Sequence, residues 1–208
     1  MKTKLMDLYI EETLNANKTP ESVYLFTKTA GITEAEFYQE FSSLESLESE
    51  IFANWWNATT SKASETEVYQ SYSGREKVLS LFFMWIEQLK ANRSFVQYLY
   101  KRDHHFPPKI PAYIKPLKEV FTESMKPILS AAIDTNEVVD RKYLSDKYVD
   151  ALWLNLLFVS NFWMKDHSKA FEKTDEAIER SVNLSFDMLG KSPLDSALEF
   201  GKFLFQNK

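Results

Sequence analysis

Apolar residues return every three or four positions along this chain, and the faces they form predict a run of helices. Met6, Tyr9, Ile10 and Leu14 make the first stripe, over about 5–14, and Asn15 and Asn17, which tolerate the left-handed conformation, end it. Val23, Phe26 and Ala30 make the second, with Pro20 suited to its first helical position. Gly31 can then take positive φ as a C-cap, Ile32 seals a tight turn, and Thr33 caps a third helix with Glu36 at capping-box spacing. In that third helix Phe37 and Phe41 face inward, while Glu36, Gln39 and Glu40 face out. The pattern is a helix-turn-helix, a motif whose second helix presents its outer face to the major groove of DNA.

A longer fourth helix, with Leu44, Leu47, Ile51, Trp55 and Ala58 on one side, is expected to tie this head to the rest of the chain. Trp55 and Trp56 are adjacent and cannot share a face, so Trp56 or Phe52 is expected on a neighbouring helix. Residues 57–74, rich in Ser, Thr and Glu, read as a helix end and a loop closed by Ser73-Gly74. The helix over 75–92 is apolar on two faces and should be central. A shorter one over 94–102 follows, and the run His104 to Pro108 breaks the pattern. Pro111 and Pro116 flank the start of a helix that ends near Asp134, with a kink expected at Pro127. The stretch 142–165 reads as one long helix apolar around nearly its whole circumference, and a second helix over 174–189 ends at Gly190. A single core buries only one stripe, so the surplus apolar surface predicts a two-fold partner. Ser192 and Pro193 open a last helix with Leu194, Leu198, Gly201 and Phe205 on one side.

Composition narrows the class. With 208 residues, 44% of them hydrophobic, the chain can bury a sizeable core, and its four glycines and seven prolines favour long helices over sheet. The fold class is therefore all-α. The absence of cysteine removes thiolate chemistry. Charges interrupt the N-terminal segment where a signal peptide would be apolar, and the run 151–164 is too short to span a bilayer, so a cytoplasmic protein is expected. Charge is uneven. Residues 1–56 hold four basic side chains, Lys2, Lys4, Lys18 and Lys28, against ten acidic ones, a net of −6, so the negative balance sits in the head.

No catalytic or metal-binding pattern emerges. His104 and His105 are adjacent, only His167 lies elsewhere, and there is neither a phosphate-binding glycine loop nor a nucleophile elbow. Neither an enzyme nor a cofactor is expected. What remains is an aromatic helical body, the composition of an apolar ligand pocket or of a filled core, with Phe82, Trp85, Tyr98, Tyr113, Phe121 and Phe158 as candidate lining residues.

At residues 30–47 the chain resembles the TetR family of bacterial transcription regulators. Ala30, Gly31, Ile32 and Thr33 match the family's turn, Phe37, Tyr38 and Phe41 its short reading helix, and Ser43 and Leu47 the start of the next. Leu44 departs, standing where the family usually has a phosphate-binding lysine, and Ala35 stands where glycine is common. The resemblance implies a head over 1–52 and a helical ligand-binding and dimerisation body over 53–208. It implies a homodimer that binds duplex DNA and answers to an apolar small-molecule effector. Thr33, Tyr38, Gln39, Lys28 and Lys18 are then the DNA contacts, with Lys2 and Lys4 as further phosphate contacts. The last two long helices would make the dimer interface through Leu152, Leu156, Val159, Trp163, Ile178, Val182, Ser185 and Leu189. A second reading keeps the TetR fold without DNA binding, as in the lipid-binding accessory proteins of ubiquinone biosynthesis. The chain resembles those at Trp163, Asp166, Ser168, Phe171 and Thr174. The acidic head bears on the choice, because duplex binding rests largely on Lys and Arg displacing counterions.

Overall fold

The computed structural model describes residues 1–103, 111–141 and 145–191, with 203, 204 and 206. The expected break at His104 to Pro108, the Lys142 helix start and the Ser192–Pro193 helix opening lie outside the described residues. Among the described residues every regular element is helical. They run α1 Lys2–Ala16, α2 Val23–Ala30, α3 Glu34–Glu40, α4 Leu44–Ser64, α5 Glu67–Ser71, α6 Gly74–Ala91, α7 Arg93–Asp103, α8 Ile114–Asp134, α9 Tyr148–Lys165 and α10 Glu172–Leu189. Short 3₁₀ turns, Ser145–Lys147 and Lys169–Phe171, precede α9 and α10. Among the described residues no helix is long and apolar enough to cross a membrane.

Two boundaries differ from expectation for local reasons. Pro20 lies outside α2, which starts at Val23 because the Ser22 hydroxyl accepts the Leu25 N–H as N-cap. The Ser- and Thr-rich stretch after Trp56 does not end α4. Thr59 and Thr60 bond back to the carbonyls of Trp55 and Asn57, so hydroxyls that signal a loop in sequence are satisfied within the helix.

The chain divides into two compact units. The first holds residues 1–61 and 85–121, and its core starts in the head. Leu5, Met6, Tyr9, Phe26, Phe37 and Leu47 are buried there, and the Phe26 ring meets Tyr9 and Phe37 edge-on at 6.1 and 5.9 Å. The adjacent tryptophans of α4 take different neighbours, as their spacing requires. Trp55 packs edge-on to Phe95, whereas Trp56 lies 5.5 Å from Trp85 and 5.1 Å from Phe121. The second unit holds residues 62–84 and 122–208, and within it α9 and α10 pack side by side along their length.

Two glycines are fixed by geometry. Gly31 sits at φ 69°, a left-handed conformation that closes α2. Gly74 opens α6 where a Cβ would come within 2.8 Å of the Ala132 Cβ and 2.9 Å of a Glu137 carboxylate oxygen, and that carboxylate accepts the Gly74 and Arg75 N–H groups. Ala170 and Phe171 hold consecutive positive φ values, 52° and 64°, without the freedom of glycine. Gly31→Ala is expected to lower stability by about 1 kcal/mol, and Ala170→Gly to raise it or leave it unchanged within about 1 kcal/mol. Chemical denaturation of both variants checks the pair of signs.

Candidate functional site

The second helix of the motif, α3, is set by a turn closed at both ends. The Gly31 and Ile32 N–H groups return to the Thr27 carbonyl, and the Thr33 hydroxyl accepts the Glu36 N–H while the Glu36 carboxylate accepts the Thr33 N–H at 2.7 Å. Phe37 anchors the inner side with no exposed surface. Tyr38, 52% exposed, and Gln39 stand outward with Thr33 at the helix start. Glu36 is turned to the helix N-terminus, as its capping-box spacing predicts, while remaining exposed, and the bonds from the Thr33 backbone and hydroxyl hold its carboxyl below the usual range. Of the four lysines, Lys18 pairs with Glu21 and Lys2 with Glu50, while Lys28 at the end of α2 and Lys4 are exposed and have no ion-pair partner among the described residues. Seven carboxylates of residues 1–56, namely Asp7, Glu11, Glu12, Glu34, Glu36, Glu40 and Glu45, likewise have no ion-pair partner among the described residues.

At the foot of the head lies a polar knot that the sequence reading missed. Glu48, on α4, is buried, and its carboxylate takes a bidentate pair of bonds from Arg102 of α7 at 2.6 and 2.7 Å and a third from the Tyr9 hydroxyl of α1 at 2.7 Å. Arg102 also reaches Asp103. Bonds to Glu48 keep the guanidinium firmly protonated, and burial, then the Glu48 charge, pushes the Tyr9 phenol far up, so the hydroxyl stays a donor. A pocket of about 380 Å³, lined by Thr19, Pro20, Leu44 and Glu45 among others, opens beside this knot.

The six candidate ligand residues separate. Trp85 and Phe121 are buried against Trp56, and Tyr113 stacks on Phe52 at 4.5 Å, with Phe52 in turn 6.4 Å from Trp85. Those three share one aromatic cluster of the first unit. Burial pushes the Tyr113 phenol up. Tyr98 lines a surface pocket with Leu14 and Gln97, Phe82 is core of the second unit, and Phe158 is exposed on α9.

The residues expected at the dimer interface also need correcting. Leu152, Leu156, Val159, Trp163, Ile178, Val182 and Leu189 are buried within the single chain, and Ser185 is half-buried. They lie on the inner faces of α9 and α10, turned away from solvent. Periodicity could not orient α9, whose circumference is apolar nearly all round. The face left open carries Leu154, Phe158, Leu184 and Met188, exposed by 65, 51, 60 and 67%. Between these helices runs an open groove of about 830 Å³, lined by Leu154, Phe158, Phe162, Ala177 and Leu184, with Lys173, Glu176 and Arg180 along α10.

The group Trp163, Asp166, Ser168, Phe171 and Thr174 forms the joint between those two helices. Asp166 is buried, which raises its carboxyl pKa, but bonds from Ser168 and from the Thr174 N–H and hydroxyl outweigh that effect and hold it at about 2. The Phe171 ring packs 6.2 Å from Trp163. All five residues therefore have a structural use. Among the described residues no three His, Asp or Glu side chains gather as metal ligands.

Comparison with known families matches residues 77–204 to the model described as "Tetracyclin repressor-like, C-terminal domain". No curated protein matches the chain. Among solved structures, a protein of unknown function from Rhodococcus sp. RHA1 superposes with a TM-score of 0.55 at 13% identity, covering 90% of this chain and 96% of that one. At that identity the likeness concerns the fold alone.

Two losses of stability are expected from this geometry. Arg102→Met strands a buried carboxylate and should cost about 3 kcal/mol, while Glu48→Met made together with it should recover most of the loss. Asp166 titrates below the value near 4 of an unfolded aspartate, so its contribution is full above about pH 4 and is lost as pH falls toward 2. Asp166→Asn should therefore cost about 2 kcal/mol at neutral pH, with the gap to the native protein closing between about pH 4 and 2. Denaturant titrations at stepped pH measure it.

Proposed function

Because the chain belongs to the TetR family, we propose that it is a homodimeric, ligand-responsive transcription regulator that reads DNA bases while making few contacts to phosphate. Residues 1–52 do the reading, and 53–208 carry ligand response and dimerisation, in the cytoplasm and without catalysis. The observation that carries this reading is the doubly closed turn before α3, which holds Tyr38 and Gln39 outward on a rigid base. Thr33 stands at the helix start, and Lys28 and Lys4 are the cations free for phosphates, with Lys18 available once released from Glu21. Gln39 suits bidentate contact to adenine.

Dimerisation is supported by the open apolar face of α9 and α10. Four large apolar side chains exposed on two adjacent helices are the surplus that a two-fold, self-complementary contact removes from water. The aromatic cluster around Trp85, Tyr113 and Phe121 supports an apolar effector.

A second reading rests on charge. With two unpaired lysines against seven unpaired carboxylates in residues 1–56, a head that has left DNA, on a body that carries a lipid-like molecule, accounts for the same fold. Mass spectrometry of gently purified protein detects such a molecule.

One experiment addresses dimer and DNA together. The native protein should sediment as a dimer at micromolar concentration and enrich a two-fold-symmetric duplex from a random library at low salt. Leu154→Asp with Phe158→Asp should sediment as a monomer and lose that enrichment. A native monomer overturns the interface, and a native dimer that enriches no duplex favours the second reading.

A further inference from the structure

The floor of the α9–α10 groove holds a polar residue that the protomer does not use fully. Asn155 is only 9% exposed and lies between Leu154 and Phe158 in sequence, yet its side chain lines the groove beneath them. Its amide nitrogen donates to the Ser185 hydroxyl at 3.1 Å, and Ser185 passes its own proton to the Ser181 carbonyl at 2.9 Å. The chain of bonds consumes donors. The amide oxygen of Asn155 is buried and has no hydrogen-bond partner among the described residues. An unmet buried acceptor destabilises by about 1–3 kcal/mol, so for the protomer alone an aliphatic residue here would serve better. Asn155 borders the groove, and because its terminal torsion is soft, a turn of the amide would bring that oxygen toward the groove.

Resting on the dimer proposed above, we infer that Asn155 sets the register of the two-fold interface by accepting a hydrogen bond from a second copy of this chain. Apolar faces such as Leu154, Phe158, Leu184 and Met188 slide over one another at little cost, because their attraction has no direction. A single polar group at the seam removes that freedom, since a displaced pairing leaves it unmet, as a lone buried asparagine does in coiled coils. The second copy brings donors on the same face, where the Lys173 ammonium, the Arg180 guanidinium and the Ser181 hydroxyl all line the groove. Continuity of the polar floor with the exposed apolar lips on both helices is what identifies the occupant as another α9–α10 face.

The chain contains no cysteine, so register can be read directly. Single cysteines placed in turn at Ala177, Ser181, Leu184 and Met188 are oxidised in the full-length dimer, and the disulfide yield is compared across positions. With Asn155 present, one position should dominate. In Asn155→Leu the protein should remain folded and associated, and the ratio of the best position to the next should fall about fivefold, the weight of one hydrogen bond. Asn155→Ala, which removes the amide without adding bulk, should do the same. An unchanged yield pattern in both variants overturns the inference while leaving the dimer standing. A native chain that sediments as a monomer and cross-links at no position overturns the dimer and the inference together.

Discussion

A carboxylate taken out of water has to be met by donors or a cation, and in this protein Glu48 is met by the Arg102 guanidinium. The consequence is architectural. Glu48 belongs to α4, Arg102 to α7, and the third bond comes from Tyr9 on α1, so one buried charge holds three helices of the first unit to a common point. Apolar packing around it, from Phe26 through Phe37 to the Phe52–Trp55–Trp56 group, tolerates small shifts. A bidentate guanidinium pair does not, because its two bonds fix direction as well as distance. The helix-turn-helix therefore stands on a base with one preferred geometry, which a reader of base edges needs.

The same base exposes a weakness in the reading surface. Ion pairs within the head remove cations as well as carboxylates, and the two removed, Lys2 and Lys18, are half of those available. Leu44, in the place of the family's usual phosphate-binding lysine, is a buried wall of the head. Shape and charge thus point in different directions. The turn and α3 hold outward side chains as the proposed groove contact requires, while the electrostatics withhold the sequence-independent attraction that ordinarily brings a protein to duplex DNA.

What the sequence made legible was local. The turn at Ala30–Thr33 and the Thr33–Glu36 cap depend on residues at most a few positions apart, and they stand as expected. Pairings between distant residues were not legible. Glu48 and Arg102 lie 54 positions apart, and nothing in the spacing of either marks the other, so Glu48 counted as one more surface acid. The orientation of α9 was illegible for a different reason: a helix apolar all round carries no signal for which side is inner. The partner helix α10 has a clearer stripe, and it packs Ile178, Val182 and Phe186 inward, which leaves Leu184 and Met188 on the open side. For the lining of an effector pocket, aromatic composition suited a filled core and a cavity equally, and only the ring contacts place Trp85, Phe121 and Tyr113 in one cluster.

The central claim is that the head reads bases with little help from phosphate, and the salt dependence of its affinity for an enriched duplex tests that most directly. Each phosphate neutralised contributes about −0.9 to the slope of log affinity against log salt. Lys4, Lys28 and a released Lys18 in each of two heads allow six such contacts, so the account predicts a slope no steeper than about −5. A slope near −8 or steeper, with tight binding to unrelated duplex at physiological salt, would contradict it.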